Sequence, residues 1–379
     1  MYDFSKVKEY LDSLESLGIP LAGIEVRQDH EIICKHFSGY ADAEKTRKLS
    51  DDDIFWIFSA TKVITCIAAM RLVEEGRLSL EDNLDKYLPE FASMKIKNPD
   101  GTITDAKNKI RIIDLFTMTA GFTYTLDSPS LLEARKNKNA TTREIIAALA
   151  NEPLVFEPST NFRYSLCHDV LGAVVEVVTG MSYGEYLNEA IFTPLGIKNM
   201  GFKLSEKDKL RMTQQYKYDN AFYTSVPMET GNPFILTNNF EGGGAGLYSN
   251  VGDYAKIIDA VACRGTAENG YKLLRPETVA ELGVNRLCEN ALRTYRLEDL
   301  KRAGYGWGLC IRAMMNPLAA NSPSPVGEFG GTGAASAYNL IDTTNRLSIT
   351  FFTHVRSCDY AFKFVHDRLR NLTYEAISK

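Results

Sequence analysis

The chain of 379 residues lacks the features that mark several classes of protein. No segment is long and apolar enough for a transmembrane helix, and the first residues contain no signal-peptide stretch. We therefore expect a cytoplasmic protein with no membrane partner. The net charge is −5 and no run of Arg or Lys occurs, which argues against a nucleic-acid partner. The seven cysteines include no Cys-x-x-Cys pair, and several lie in apolar runs, as reduced and buried thiols do.

The common motifs of metal and nucleotide sites are also missing. The sequence contains no His-Glu-x-x-His, Walker or EF-hand pattern. Asp51-Asp52-Asp53 is accompanied by no histidine or further carboxylate, and we interpret it as a solvated loop. The glycine-rich segment 304–308 leads into a predicted strand and lacks the strand–turn–helix context of a dinucleotide site. We therefore expect no metal and no cofactor.

What the chain does have is ample apolar sequence, at 45% hydrophobic residues, for a large core. Helical periodicity predicts helices over residues 4–17 and 359–377. Strand-like runs predict a hairpin near the N-terminus and further strands near the C-terminus, over residues 22–26, 32–40, 308–311, 335–341 and 347–352. We predict an α+β fold in which residues 1–58 and 300–379 form one antiparallel sheet flanked by helices. Residues 59–299 would form a mostly helical region.

The most informative motif is Ser59-Ala60-Thr61-Lys62, at the head of an apolar helix predicted over residues 62–75 with Gly76 as its stop. A serine hydroxyl is a poor nucleophile until a base accepts its proton, and a lysine three residues later lies on the same helix face. Burial would be expected to lower the pKa of Lys62. The same pattern at Ser5–Lys8 is polar, and we interpret it as a charged helix face.

Further runs occur in a defined order along the chain. Together they resemble the serine beta-lactamase and penicillin-binding-protein superfamily, closest to the class C branch and its carboxylesterase relatives. The resemblance implies the beta-lactamase/transpeptidase-like fold, with the site in a cleft between the sheet and the helical region. The matching runs are 58–62, 76–82, 87–91, 115–121, 162–165, 169–172, 194–197 and 243–249.

The resemblance implies a tyrosine, often in Tyr-x-Asn, that faces the nucleophile. Tyr248-Ser249-Asn250 matches the letters, but it follows a glycine run that the family places on a strand away from the chemistry. Tyr164 matches the context, and we choose it as the residue that accepts the serine proton together with Lys62, whose ammonium would stabilise a phenolate. Leu166 replaces the asparagine and offers substrate only packing, which argues against an efficient beta-lactamase.

The family's third motif, Lys-Thr-Gly or an esterase equivalent, falls on Gly331-Thr332-Gly333, which we expect to contact substrate. Gly331 replaces a large or charged residue, so the motif supplies no cation for a substrate carboxylate. The backbone N–H groups of Ser59 and of Ala334, expected on an edge strand, would form the oxyanion hole.

The sequence therefore predicts a serine hydrolase that forms an acyl-enzyme on Ser59 and acts on a small ester or amide, with a carboxylesterase favoured. Beta-lactamase activity, D-aminopeptidase or DD-peptidase-like amide hydrolysis, and acyl transfer remain alternatives. An alternative from another functional class is a non-catalytic protein that binds acyl ligands. His168, one turn beyond Tyr164, could reach the site but is more typical of a structural histidine. The oligomeric state stays open.

Overall fold

The computed structural model describes residues 2–298 and 302–378. Within these residues the chain forms α-helices separated by strands and short turns of 3₁₀ helix. The helices are α1 (Ser5–Ser13), α2 (Thr61–Glu74), α3 (Ile112–Phe116), α4 (Pro129–Ala134), α5 (Thr142–Leu149), α6 (Cys167–Thr179), α7 (Tyr183–Leu187), α8 (Glu206–Lys209), α9 (Val251–Ala262), α10 (Pro276–Leu282), α11 (Glu289–Leu297) and α12 (His366–Ile377).

The strands of the largest sheet come from the two ends of the chain, as the sequence predicts, and seven further short strands lie between residues 55 and 249. The strands are β1 (Leu21–Gln28), β2 (Glu31–Gly39), β3 (Phe55–Trp56), β4 (Lys95–Lys97), β5 (Ile103–Asp105), β6 (Met200–Gly201), β7 (Gln215–Asp219), β8 (Thr224–Met228), β9 (Tyr248–Ser249), β10 (Tyr305–Gly308), β11 (Ile311–Met314), β12 (Phe329–Gly330), β13 (Tyr338–Asp342), β14 (Leu347–Phe352) and β15 (Val355–Arg356).

Seven of these strands form one sheet in the order β10-β11-β12-β13-β14-β1-β2, with every neighbouring pair antiparallel. The pairing of β1 with β14, from Gly23 opposite Phe352 to Gln28 opposite Leu347, joins the N-terminal hairpin to the C-terminal strands. The α+β prediction is therefore confirmed. The predicted domain boundary at residue 300 lies outside the described residues.

The β1–β2 hairpin confirms the tight turn expected around Asp29-His30. Both residues adopt left-handed backbone conformations, with φ of 49° and 72°. Two consecutive positive φ values define the type I′ turn, whose twist matches that of the flanking strands. The turn thereby sets the register in which Arg27 faces Ile32, and an irregularity between Val26 and Arg27 then shifts the pairing so that Val26 faces Cys34.

The prediction of a strand over residues 308–311 is wrong. Leu309 and Cys310 instead form the turn between β10 and β11, and the strands run on either side of it. The continuous apolar run hid this turn because it contains no Pro, Asn or Asp to signal one. The first half of the predicted strand 335–341 is likewise a turn, since β13 begins only at Tyr338.

Helix α9 covers one face of the sheet, and helix α2 packs on a further helix, α6. Helix α9 packs across β1, β13 and β14, and the Tyr254 ring lies 5.3 Å from that of Phe352. Strand β1 is consequently buried along nearly its whole length, as expected for a sheet covered on both faces. Helix α2 is buried almost all round and packs on α6. This confirms the predicted buried helix, which ends before Gly76 at φ 71°.

The described residues contain no helix that is both long and apolar enough to cross a membrane. All seven cysteines are free, and all except Cys288 are buried. This agrees with the reduced, buried thiols that the sequence indicates.

Candidate active site

Ser59 lies in a 3₁₀ turn, Phe58–Ala60, that joins β3 to α2. Phe58, directly before it, has φ 47° although its large side chain is fully buried. A bulky residue in the left-handed region is a backbone outlier of the kind that surrounding packing must hold in place. The Phe58 ring packs 6.1 Å from that of Phe234, which anchors the turn and presents Ser59 at the head of the helix.

Lys62 is the centre of the site. Its Nζ lies 3.3 Å from Ser59 Oγ and 3.4 Å from the hydroxyl of Tyr124, and it donates a 2.7 Å hydrogen bond to the carbonyl oxygen of Gly244. The same Nζ lies 4.7 Å from the ring centre of Tyr164. The structure thus brings together Ser59, Lys62 and Tyr164 as the sequence predicts, and it adds Tyr124.

The glycine run 243–246 touches the site directly, so the expectation that it lies away from the chemistry is wrong. Lys62 and Thr65, one turn apart on α2, donate to the carbonyls of Gly244 and Gly243. The Gly244 N–H in turn donates to the buried Asp169 carboxylate at 3.0 Å. A Cβ on Gly244 would collide with that carboxylate, which explains why this close approach requires glycine.

The charge of Lys62 differs from the expectation. Burial by itself lowers the pKa of Lys62, but the negative charges that Tyr124, Tyr164 and Asp169 can carry outweigh burial, and the pKa is raised. The predicted depression is therefore wrong, because the sequence did not show the acidic neighbours that surround the ammonium. Lys62 is a cation in the free protein at neutral pH.

Tyr164 forms one wall of the site beside Ser59, and the Tyr124 ring packs against the Tyr164 ring. Their rings lie 5.4 Å apart, and Tyr164 also packs edge-on against Trp307 at 6.0 Å. Burial raises the pKa of Tyr124 to about 12 even though the Lys62 ammonium lowers it. Tyr124 lies just beyond the matching run that ends at Gly121, and no local pattern in the sequence distinguished it.

The third motif forms the opposite wall. The N–H of Gly333 donates to the carbonyl oxygen of Ala337, just before β13. The N–H of Gly331 donates to the side chain of Asn339, within β13, and the Gly331 carbonyl oxygen accepts from the Asn339 N–H. Since N–H groups alternate in direction along an extended chain, the N–H of Thr332 points away from β13. Burial follows the same alternation, because Gly331 and Gly333 are buried whereas Thr332 and Ala334 are only half-buried.

Ala334 does not lie on an edge strand as predicted. It occupies the turn between β12 and β13, two inner strands of the sheet. A Cβ on Gly333 would collide with the carbonyl oxygen of Ile57, so this hairpin packs directly against the segment that carries Ser59. Thr332 and Ala334 therefore both present backbone near the nucleophile, whereas the sequence had indicated Ala334, together with Ser59, as the oxyanion donors.

A cavity of about 430 Å³ opens between these walls. Ser59, Lys62, Tyr164 and the segment 330–334 line its catalytic end. The apolar Ile311 and Trp307 side chains continue the lining away from Ser59. The arrangement offers a hydroxyl nucleophile, a neighbouring cation, phenol groups and backbone donors around this cavity, which is what acyl transfer through a serine requires.

Three other residues considered from the sequence lie elsewhere. Leu166 is buried in the core at the N-terminus of α6 and is not among the residues that line the cavity, so its contact with substrate stays a prediction. His168 is fully buried, and its Nε2 lies 3.1 Å from Cys66 Sγ. Tyr248 packs on Trp56 and donates to Asp208 at 3.4 Å.

Comparison with known proteins agrees with this geometry. A family described as Beta-lactamase matches residues 6–362. Protein Rv1367c of Mycobacterium tuberculosis is 28% identical over 323 residues, which cover 83% of this chain and 80% of that protein. Esterase EstB of Burkholderia gladioli is 27% identical over 350 residues, covering 87% and 84%.

Among solved structures, simvastatin synthase LovD from Aspergillus terreus superposes with a TM-score of 0.82 at 22% identity, over 99% of this chain and 98% of that one. This likeness bears on the fold, whereas the family match bears on the chemistry and supports a hydrolase. Because that match extends over nearly the whole length of the sequence, the chain belongs to the beta-lactamase family.

Proposed function

We propose that this protein is a serine hydrolase that forms an acyl-enzyme on Ser59, and that its substrates are carboxylic esters. The observation that carries the proposal is the contact of Ser59 Oγ with Lys62 Nζ at 3.3 Å, at one end of a cavity. The name of EstB, similar over most of the chain, supports an ester as substrate. The predicted cytoplasmic location is part of the same proposal.

In the first step Ser59 Oγ attacks the ester carbonyl. Tyr164 accepts the serine proton as a phenolate, which the Lys62 ammonium stabilises at a ring distance of 4.7 Å. Tyr124 bonds the same ammonium and holds it in place between the phenols and the Gly244 carbonyl. Because its raised pKa keeps Lys62 charged, its role is to stabilise negative charge on its neighbours rather than to act alone as the base.

The negative charge that develops on the substrate oxygen is held by backbone N–H groups. The proposed donors are Ser59 and Ala334, with Thr332 as a further donor because its N–H is turned away from β13. The proton then passes to the leaving alcohol. A water molecule attacks the acyl-enzyme by the same route, which releases the acid and restores the Ser59 hydroxyl.

The test is a comparison of wild type with Ser59→Ala, using 4-nitrophenyl butyrate and intact-protein mass spectrometry. We expect turnover, or an acyl adduct of the butyryl mass, in the wild type and neither in the variant. Nitrocefin and an amide of the same acyl group, assayed in parallel, separate an esterase from a beta-lactamase or an amidase. Adding a short alcohol as acceptor detects acyl transfer as a new ester.

Absence of both turnover and adduct in the folded wild type, across all these substrates, would refute the catalytic proposal. It would favour the non-catalytic protein that binds acyl ligands. Unchanged turnover in Ser59→Ala would place the chemistry on another residue. Either outcome is decisive because the substitution removes one oxygen atom from a half-buried turn and leaves the core intact.

A further inference from the structure

The cavity in front of Ser59 continues to a second end that the proposed mechanism does not use. We call it the arginine end, formed by Tyr305 on β10, Arg312 on β11, Tyr338 on β13 and Arg370 on α12. These residues lie on the sheet and the last helix, far in sequence from the Ser59 turn. The described residues that line the whole cavity include the four cations Lys62, Arg302, Arg312 and Arg370, and a single carboxylate, Asp367.

A β-bulge turns Arg312 into the cavity. Ile311 and Arg312 both pair with Gly330, so the register shifts by one residue at this point. Ile311 has φ 57°, which is a costly conformation for a β-branched residue. Successive residues of a regular strand point to opposite faces, whereas a bulge re-aims a side chain, and here both Ile311 and Arg312 line the cavity.

The Arg312 guanidinium is held in a fixed position. Its Cζ lies 5.0 Å from the ring centre of Tyr305 and 5.5 Å from that of Tyr338, and one edge bonds Glu328 at 2.6 Å. Glu328 is fully buried and does not line the cavity, while the Arg312 side chain keeps 19% of its surface exposed. The partner carboxylate thus lies behind the cavity wall, and the cation is presented to the cavity.

Arg370 supports the same end of the cavity. Its side chain is 3% exposed and forms an ion pair with Asp367 at 3.1 Å. Its N–H groups donate to the Tyr305 hydroxyl at 3.1 Å, to the Asn371 side chain at 3.0 Å and to the Asn321 carbonyl oxygen at 3.3 Å, so Arg370 fixes Tyr305 and adds positive charge beside Arg312. Two guanidiniums therefore share the Tyr305 side chain, one over its ring and one at its hydroxyl. A planar guanidinium fixed in this way is suited to bidentate binding of a carboxylate.

The arginine end lies within reach of the nucleophile. Tyr338 stands directly across the β12–β13 hairpin from Thr332, the proposed oxyanion donor. Cross-strand partners lie about 5 Å apart, so the path from Thr332 through the Tyr338 ring to Arg312 is on the order of 10 Å. An acyl chain of about four to six methylene groups spans a distance of this order.

We propose that the preferred substrates are esters with a carboxylate remote from the scissile carbonyl, and that Arg312 binds this carboxylate, with Arg370 holding Tyr305 in place beside it. The inference rests on the proposed esterase function and names its substrate class. Half-esters of dicarboxylic acids have the carboxylate on the acyl side, and esters of hydroxy acids have it on the alcohol side. The shared requirement is the remote anion, and the experiment distinguishes the two sides.

The test compares esters that differ only in charge. On the acyl side, mono-4-nitrophenyl adipate and suberate are paired with 4-nitrophenyl hexanoate and octanoate. On the alcohol side, 4-(butyryloxy)benzoate is paired with its methyl ester. We expect kcat/KM to favour the anionic member of one series by about tenfold or more, since hydrogen bonds to charged groups contribute this much to recognition.

In Arg312→Gln the anionic-to-neutral ratio should fall by about ten- to a hundredfold. The matched control is Arg346→Gln, an exposed arginine that pairs with Asp29 outside the cavity, and it should leave the ratio as in wild type. Arg312→Gln leaves the buried Glu328 carboxylate without its ion-pair partner, which can destabilise the fold. The double variant Arg312→Gln/Glu328→Gln removes this unpaired charge and tests the same loss of the cation.

A binding measurement on Ser59→Ala separates this inference from the function on which it rests. Titration calorimetry with monoethyl adipate should show binding that is at least about tenfold tighter than that of diethyl adipate. Turnover of neutral esters through Ser59, with no anionic preference in either series and equal binding of the two adipates, overturns the inference and leaves the esterase. Absence of turnover and of any Ser59 adduct overturns the esterase proposal, and the substrate class with it.

Discussion

Acidification should destabilise the fold through one buried histidine, His354. The ring is fully buried, and its Nε2 accepts hydrogen bonds from the Trp56 N–H at 3.2 Å and the Gln215 amide at 3.0 Å. Its Nδ1 lies 3.0 Å from the carbonyl oxygen and 2.8 Å from the hydroxyl oxygen of Thr213, so Nδ1 carries the proton and donates to Thr213. A proton added at Nε2 would face two donors. Trp56 lies in β3, which leads into the Ser59 turn, so this bond network also supports the site.

Burial, together with the Arg356 charge and against the opposing effect of the Thr213 carbonyl, lowers the pKa of His354 to about 3. In the unfolded chain the pKa is about 6.5. At pH values between about 3 and 6.5, this histidine binds a proton in the unfolded state but not in the folded state. The free energy of unfolding therefore falls as the pH drops below about 6.5, by about 2 kcal/mol at pH 5 from this one group.

The assay is urea unfolding at pH 7 and pH 5, followed by circular dichroism. His354→Gln, which cannot titrate, should lose about 2 kcal/mol less between the two pH values than wild type, although it is less stable at pH 7. Gln215→Leu removes one donor to the ring but keeps the ring buried, so it should retain the pH dependence of wild type. An identical loss in wild type and His354→Gln would refute the reasoning.

Three further predictions concern the catalytic end. Lys62→Met should lower kcat/KM for 4-nitrophenyl butyrate by about 10²-fold or more with an unchanged circular dichroism spectrum, and full activity would exclude the proposed proton path. Tyr124→Phe, which removes one hydrogen bond to the ammonium, should cost about ten- to a hundredfold, and less than Tyr164→Phe; the reverse order of kcat/KM would make Tyr124 the base. Gly333→Ala should displace the third-motif hairpin from Ile57 and lower kcat, whereas Gly231→Ala, with open space at its Cβ, should not; equal kcat values would separate this hairpin from the oxyanion site.

The features that the sequence predicted correctly depend on neighbours along the chain. The helix from Thr61 follows from a continuous apolar run that ends at a glycine, and the Ser59–Lys62 contact follows from a spacing of three residues. The β1–β2 hairpin follows from two short runs around Asp29-His30. In each case the spacing of residues close together in the sequence is enough to predict the structure.

The errors arise where strand pairing or packing that the residue pattern does not signal decides the outcome. The turn at Leu309-Cys310 exists because β10 and β11 pair with each other, and no Pro, Asn or Asp signals it. The raised pKa of Lys62 depends on Tyr124, Tyr164 and Asp169, which lie between α3 and α4, before α6 and on α6, and which approach Lys62 only in the folded chain. Sequence spacing contains neither fact.

The sequence by itself determined the family, the α+β architecture and the nucleophile with its lysine, because each is written in local periodicity or in an ordered series of motifs. Only the tertiary structure decided which further groups meet them. It brought Tyr124 and the Gly244 carbonyl to the lysine, turned Arg312 into the cavity through a bulge, and showed which backbone donors face away from β13. The physical reason is that the charge at Lys62 depends on contacts with groups 62 and 182 residues away in sequence. The strain at Ile311 and the direction of the Thr332 N–H depend on how neighbouring strands pair, and both kinds of contact form only when the whole core packs.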